Sequence, residues 1–161
     1  MSPKNRFENL GFNEEEPEII EVSQWDKWKL IENGQLAETG GLGPCFGVIL
    51  YDSKTKKALV GHFVDPRVND FQGMLVEAKK LFKDLRKVKV YIGGGAPNLD
   101  DAPDFIDDKE KRKFIKDKLV ENGFQNLKIH YQDSMESTVL SIDTETGNVD
   151  YDIESYWKNE E

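Results

Sequence analysis

Phe46-Gly47-Val48-Ile49-Leu50-Tyr51, Asp52-Ser53-Lys54-Thr55-Lys56 and Lys57-Ala58-Leu59-Val60-Gly61-His62-Phe63-Val64 follow one another without a gap, and their reading decides the fold. The first segment is nearly continuous apolar sequence, as a central strand buried on both faces requires. The second is a polar turn. The third can return antiparallel until Pro66, which has no N–H to give to a ladder. Such a hairpin puts the start of its first strand and the end of its second at the same end of a sheet. Cys45, just before the first strand, and His62, late in the second, should therefore meet.

Cys45 is the only cysteine and closes the glycine-rich segment Thr39-Gly40-Gly41-Leu42-Gly43-Pro44-Cys45. A thiol with an ordinary pKa of about 8.5 is only a few per cent ionised at neutral pH, and a neighbouring imidazole raises that fraction by taking or sharing its proton. The chemistry suggested is attack on an acyl carbon. Against this, a lone cysteine is more often a small buried apolar residue than a nucleophile. His62 alone could equally be a half-buried strand residue, and Thr39 an ordinary turn hydroxyl.

Upstream, Ile19-Ile20-Glu21-Val22 and Trp25 to Ile31 suit strands, with Glu32-Asn33-Gly34 as the turn after them. Residues 1–17, with Glu14-Glu15-Glu16-Pro17, read as a mobile acidic tail. Residues 18–155 then form one domain, and 156–161 a short C-terminal tail. Downstream, apolar residues from Phe71 to Arg86 recur at helical spacing, placing Phe71, Leu75, Ala78, Leu81, Phe82 and Leu85 on one face, with Asn69 or Asp70 as N-cap. Val88 to Ile92 reads as a strand broken by Gly93-Gly94-Gly95. A bend explains that triplet more often than a ligand-binding nest, and no Gly-Lys-Ser/Thr follows to make a P-loop. A second helix is expected over 107–122, with Phe114, Ile115, Leu119 and Val120 inward and Gly123 as its C-cap. Leu127 to Tyr131 alternates as a strand, and a hairpin joins 138–143 to 148–153 around Thr144-Glu145-Thr146-Gly147.

Composition excludes several classes. A chain of 161 residues can bury a core without staples, and one cysteine rules out an internal disulfide framework. A net charge of −9 opposes a non-specific grip on nucleic acid or an anionic membrane. The lysine groups at 54–57 and 109–113 are interleaved with acids and read as solvated faces. No apolar run approaches the roughly 20 residues that cross a bilayer, and no secretion signal follows Met1, so a cytoplasmic location is expected. Neither histidine has a second Cys/His at zinc spacing, so no metal site is expected, and His130 reads as structural.

The run Thr39-Gly40-Gly41-Leu42-Gly43-Pro44-Cys45 followed by Gly61-His62-Phe63-Val64-Asp65-Pro66 resembles the Thr-x-Gly-Leu-Gly-x-Cys and His-x-x-x-Pro signature of the chemoreceptor glutamine deamidase family, CheD. The likeness extends from about Ile20 to Val149, through Ile92-Gly93-Gly94-Gly95-Ala96 and the closing hairpin Asp143 to Gly147. It implies an α/β sandwich of α+β type, with mixed and antiparallel sheets and two main helices, related to cysteine-dependent toxin deamidases. It also implies a nucleophile at Cys45, its base at His62 and an orienting hydroxyl at Thr39. The implied reaction converts a glutamine side chain of a protein substrate to glutamate and ammonia without a cofactor.

Such a substrate is a protein with an accessible glutamine, in that family a chemoreceptor, and a regulatory protein partner is implied as well. The turn Gly43-Pro44-Cys45 would support the oxyanion, with the backbone N–H of Cys45 as first donor, since Pro44 has none. Gly94, Gly95, Ser134 and Ser137 are candidates for the substrate loop. Two features depart from the family pattern: Pro44 stands where a serine is commoner, and Ser134-Met135-Glu136-Ser137 replaces a glycine-rich loop containing Gly-Arg. Two alternatives share the fold or the nucleophile: a regulatory binding module of weak or lost activity, and a related thiol amidase or peptidase.

Overall fold

The apolar run from Phe46 is buried along its whole length, and its two faces serve two different cores. Phe46, Val48 and Leu50 pack with Phe71, Met74, Ile115 and Leu119. Ile49 and Tyr51, on the alternate face, pack with Ala37, Leu140 and Ile142. Full burial of one such side chain contributes about 1.5–3 kcal/mol, so a strand apolar at every position is stable only where both faces are covered.

The computed structural model describes residues 18–32, 34–96, 105–132 and 137–154. The tails 1–17 and 156–161, Asn33 of the first turn, and Ser134, Met135 and Glu136 of the substrate-loop segment lie outside the described residues. The strands are β1 (Ile19–Glu21), β2 (Trp28–Ile31), β3 (Leu36–Leu42), β4 (Phe46–Asp52), β5 (Lys57–Phe63), β6 (Lys89–Gly94), β7 (Asn126–Tyr131), β8 (Ser137–Asp143) and β9 (Asn148–Glu154). The helices are α1 (Asn69–Leu81) and α2 (Phe105–Glu121).

One sheet has the order β1-β3-β8-β9 and the other β2-β5-β4-β6-β7. Both are mixed, because β1 pairs parallel with β3 and β6 parallel with β7. The two sheets face each other across one core, and both helices cover the outer face of the five-stranded sheet. This is the expected α/β sandwich with two main helices.

Several boundaries move. The strand expected from Trp25 begins at Trp28, because Ser23 to Lys27 form a turn in which Asp26 accepts hydrogen bonds from the backbone N–H and hydroxyl of Ser23 at 2.8 and 3.0 Å. Trp25 is left 83 % exposed on that turn. Helix α1 ends at Leu81 rather than Arg86: Phe82 turns extended, which drives its ring into the core, and a 3-10 turn over Leu85–Lys87 is capped by Asp84.

Neither Asn69 nor Asp70 caps α1. Val68 occupies that position with no side-chain hydrogen bond, and Asp70 pairs with Lys27 at 3.3 Å instead. Val120 is exposed, since it lies about 100° around the helix from buried Leu119. The triple glycine does not end its strand. β6 continues through Gly93 and Gly94, which pair with Gly47 and Phe46.

Candidate active site

Register brings the three residues together. Gly47 of β4 stands opposite His62 of β5, and Phe46 opposite Phe63. Cys45, one position further along, is therefore diagonal to His62, a spacing of about 7–8 Å between Cα atoms in a regular ladder. Cys45 packs into the core between the sheets, the same core that holds Leu42 and Ile49. Thr39 comes from the facing sheet, on β3, and its Oγ1 lies 2.8 Å from His62 Nδ1 in a fully buried hydrogen bond. Thr39 is 1 % and His62 7 % exposed, while Cys45 is half-buried.

What lets two sheets meet at hydrogen-bond distance is a missing side chain. A Cβ on Gly47 would lie 2.6 Å from Leu42 Cδ1 and 3.1 Å from Thr39 Cγ2. Gly47 thus admits β3 against β4, and the ladder between β3 and β8 shifts register between Thr39 and Leu42 where the chain bends into the Cys45 turn. A glycine inside an otherwise bulky strand is the sequence signal of such a close approach.

Burial governs the resting protonation. It pushes the Cys45 thiol up from its ordinary value, opposed in part by the Lys111 ammonium, and pushes His62 down. Both shifts favour a neutral thiol beside a neutral imidazole, whereas proximity alone suggests a thiolate. Among the described residues no hydrogen bond joins Sγ to the imidazole, whose ring partner is Thr39, while the backbone N–H of His62 donates to the Lys27 carbonyl at 2.8 Å. The carboxylate nearest in sequence, Asp65, is engaged by Arg67 Nε and Nη2 at 2.9 and 2.8 Å. The side-chain partner of the His62 ring is thus the Thr39 hydroxyl.

The His62 shift has a measurable consequence. Below pH 6.5 the unfolded imidazole binds a proton that the folded one resists, so stability due to this group is lost as pH falls. Urea midpoints measured from pH 7 to pH 5 are expected to fall more steeply for the wild type than for His62→Gln. Parallel slopes would show that His62 is not held neutral.

The turn Gly43-Pro44-Cys45 is held from behind. Gly95 N–H donates to the Cys45 carbonyl and Ala96 N–H to the Gly43 carbonyl, both at 2.8 Å, while the N–H of Cys45 has no backbone acceptor among the described residues. Gly94 and Gly95 are buried and form this clamp: a Cβ on Gly94 would lie 2.3 Å from the Cys45 carbonyl oxygen, and one on Gly95 2.5 Å from the Phe46 ring. Ser137 begins β8 and pairs with Glu154. His130, on β7, stacks on Tyr151 with ring centroids 4.4 Å apart, and register places it three strands from His62.

Sequence reasoning missed Gly47, and also Arg112. The latter is hidden in a run of charges, yet it is half-buried and donates to the Gly95 carbonyl at 2.9 Å. Among the described residues no group of three or more His, Cys, Asp or Glu could hold a metal, and no helix is long and apolar enough to cross a membrane. A cleft of about 360 Å³ between β1 and Gly40-Gly41 and one of about 210 Å³ beside Lys54 and Lys87 are lined by none of Thr39, Cys45 or His62. No protein-family model matches the chain, and neither does any curated protein.

Proposed function

We propose that the protein is a cysteine-dependent amide hydrolase that converts glutamine side chains of a protein substrate to glutamate, in the manner of the chemoreceptor glutamine deamidases its sequence resembles. The observation that carries this reading is the buried 2.8 Å contact between Thr39 Oγ1 and His62 Nδ1, beside a cysteine diagonal to the same histidine. In the tautomer with a proton on Nδ1, that nitrogen donates to Thr39 and leaves Nε2 as the base, while the hydroxyl fixes the ring.

Attack begins from the neutral pair. Cys45 Sγ bonds to the carboxamide carbon as its proton passes to His62 Nε2, and the charge on the carbonyl oxygen is met by the Cys45 N–H. The C–N bond then breaks, His62 returns the proton, and ammonia leaves. Water adds to the thioester as His62 removes its proton. Collapse gives glutamate and restores the thiol. This sequence needs no cofactor, a cytoplasmic setting keeps the thiol reduced, and the chemoreceptor substrate and regulatory partner belong to the same proposal.

Ammonia release from a panel of glutamine-bearing proteins, including chemoreceptor cytoplasmic segments, tests the reading. Release should coincide with a gain of about 1 Da at a glutamine. Peptide-bond cleavage in its place would convert the reading to a thiol peptidase, and binding with neither product would make the chain a regulatory module.

A further inference from the structure

We infer that Arg112, on α2, is a positioning residue that sets the oxyanion turn at Cys45 through the glycines of β6. The inference rests on the acyl-transfer reading above, and its observations are five hydrogen bonds. Arg112 Nε donates to the Gly95 carbonyl at 2.9 Å, and the N–H of the same peptide unit, that of Ala96, donates to the Gly43 carbonyl at 2.8 Å. In parallel, Gln132 N–H donates to the Gly94 carbonyl at 2.8 Å, and the N–H of that peptide unit, that of Gly95, donates to the Cys45 carbonyl at 2.8 Å. Arg112 Nη2 closes the pair by donating to the Gln132 carbonyl at 3.1 Å.

Two peptide relays thus end on the carbonyls either side of Pro44; the guanidinium heads the one through Gly95 and Ala96, and holds in place, by its carbonyl, the Gln132 that donates to the other. In the relay through Gly95 each hydrogen bond polarises the next peptide unit, and the charged donor at its head strengthens the chain. With the Gly43 and Cys45 carbonyls fixed, the peptide between Pro44 and Cys45 has little freedom to rotate, and its N–H keeps one direction. Pro44 contributes no N–H, so the Cys45 donor depends on this fixing more than it would in a turn with two donors.

Arg112 is itself immobilised. Its guanidinium lies 4.5 Å from the Tyr131 ring centre, the Tyr131 hydroxyl donates to the Arg112 carbonyl at 3.0 Å, and Tyr131 meets Phe46 edge-on at 6.1 Å. A planar fork that bridges two carbonyls while stacking on an aromatic face is a task for arginine that lysine performs only in part.

Two electrophiles distinguish positioning of the oxyanion donor from general damage. 4-Nitrophenyl acetate acylates Cys45 through a tetrahedral oxyanion: sulfur bonds to the ester carbon, the thiol proton goes to His62, and 4-nitrophenolate departs. Iodoacetamide alkylates the same sulfur by displacement of iodide, with no oxyanion. Arg112→Met in the full chain is expected to slow acylation by about 100-fold, the scale of losing an oxyanion donor, and to leave alkylation unchanged. Arg112→Lys should recover part of the acylation rate, and it carries the test if Arg112→Met does not fold. Equal slowing of both reactions, or of neither, in a wild type that acylates normally would overturn the role of Arg112. A wild type whose Cys45 acylates no faster than free cysteine would overturn the acyl-transfer reading and this inference with it.

Discussion

Cys45→Ala is expected to reduce glutamine-amide hydrolysis by at least about 10³-fold, because the covalent intermediate of the proposed route forms on its sulfur. His62→Ala should cost nearly as much. Burial holds the resting thiol protonated, so attack requires a base that accepts the proton as the S–C bond forms. The two losses should not add: Cys45→Ala combined with His62→Ala is expected to be no worse than Cys45→Ala alone, as for any nucleophile and base that act as one unit. Initial rates of ammonia release for the three variants check this, with far-ultraviolet circular dichroism to confirm folding. Activity retained in Cys45→Ala would sink the mechanism outright.

Gly94→Ala is the second large effect, and it acts through the backbone. Gly94 sits at φ +79°, a region that costs an L-residue roughly 1–2 kcal/mol. The added Cβ would also lie 2.3 Å from the Cys45 carbonyl oxygen and 2.8 Å from Leu42 Cβ, neither of which is the end of a flexible side chain. Overpacking of this kind adds about 1–3 kcal/mol, so the total is about 2–5 kcal/mol, a fall of roughly 4–20 °C in Tm for a domain of this size. Because the displaced group is the Cys45 carbonyl, hydrolysis should fall even at temperatures where the variant is folded. Differential scanning calorimetry and rates at 15 °C separate the two effects. A variant with wild-type Tm would show that the strand end relaxes without moving Cys45.

The hairpin of β4 and β5 was legible because its signals are local: an apolar run too continuous for a half-exposed strand, a polar turn, and a proline that ends the ladder. The positions of Cys45 and His62 at one sheet end followed from that pairing alone. Helix ends were less legible. Whether Phe82 continues a helix or drops into the core is set by the packing it finds there, and the periodicity from Phe71 to Leu85 suits both. Trp25 reads as a strand residue by type, but Asp26 bonding back to Ser23 outweighs that preference and leaves the ring in solvent.

At the site, the thiol, imidazole and hydroxyl were legible as residue types at a spacing. Their protonation was not, because desolvation depends on which chains cover them. Arg112 was read with its charged neighbours as a solvated face, since nothing in Lys109-Glu110-Lys111-Arg112-Lys113 tells which of the five turns inward. Gly47 carried a readable signal, a glycine in a bulky strand, but not the identity of what approaches it.

By itself the sequence determined the hairpin of β4 and β5 and the end of the sheet at which Cys45 and His62 meet, because an apolar run, turn chemistry and proline act within a few residues of chain. Only the tertiary structure decided that Thr39 reaches His62 across two sheets, that the thiol rests neutral, and that a helix residue far along the chain fixes the turn before Cys45. Each of these depends on groups brought together from distant segments, and the strength of a hydrogen bond or a charge there is set by the water those segments exclude.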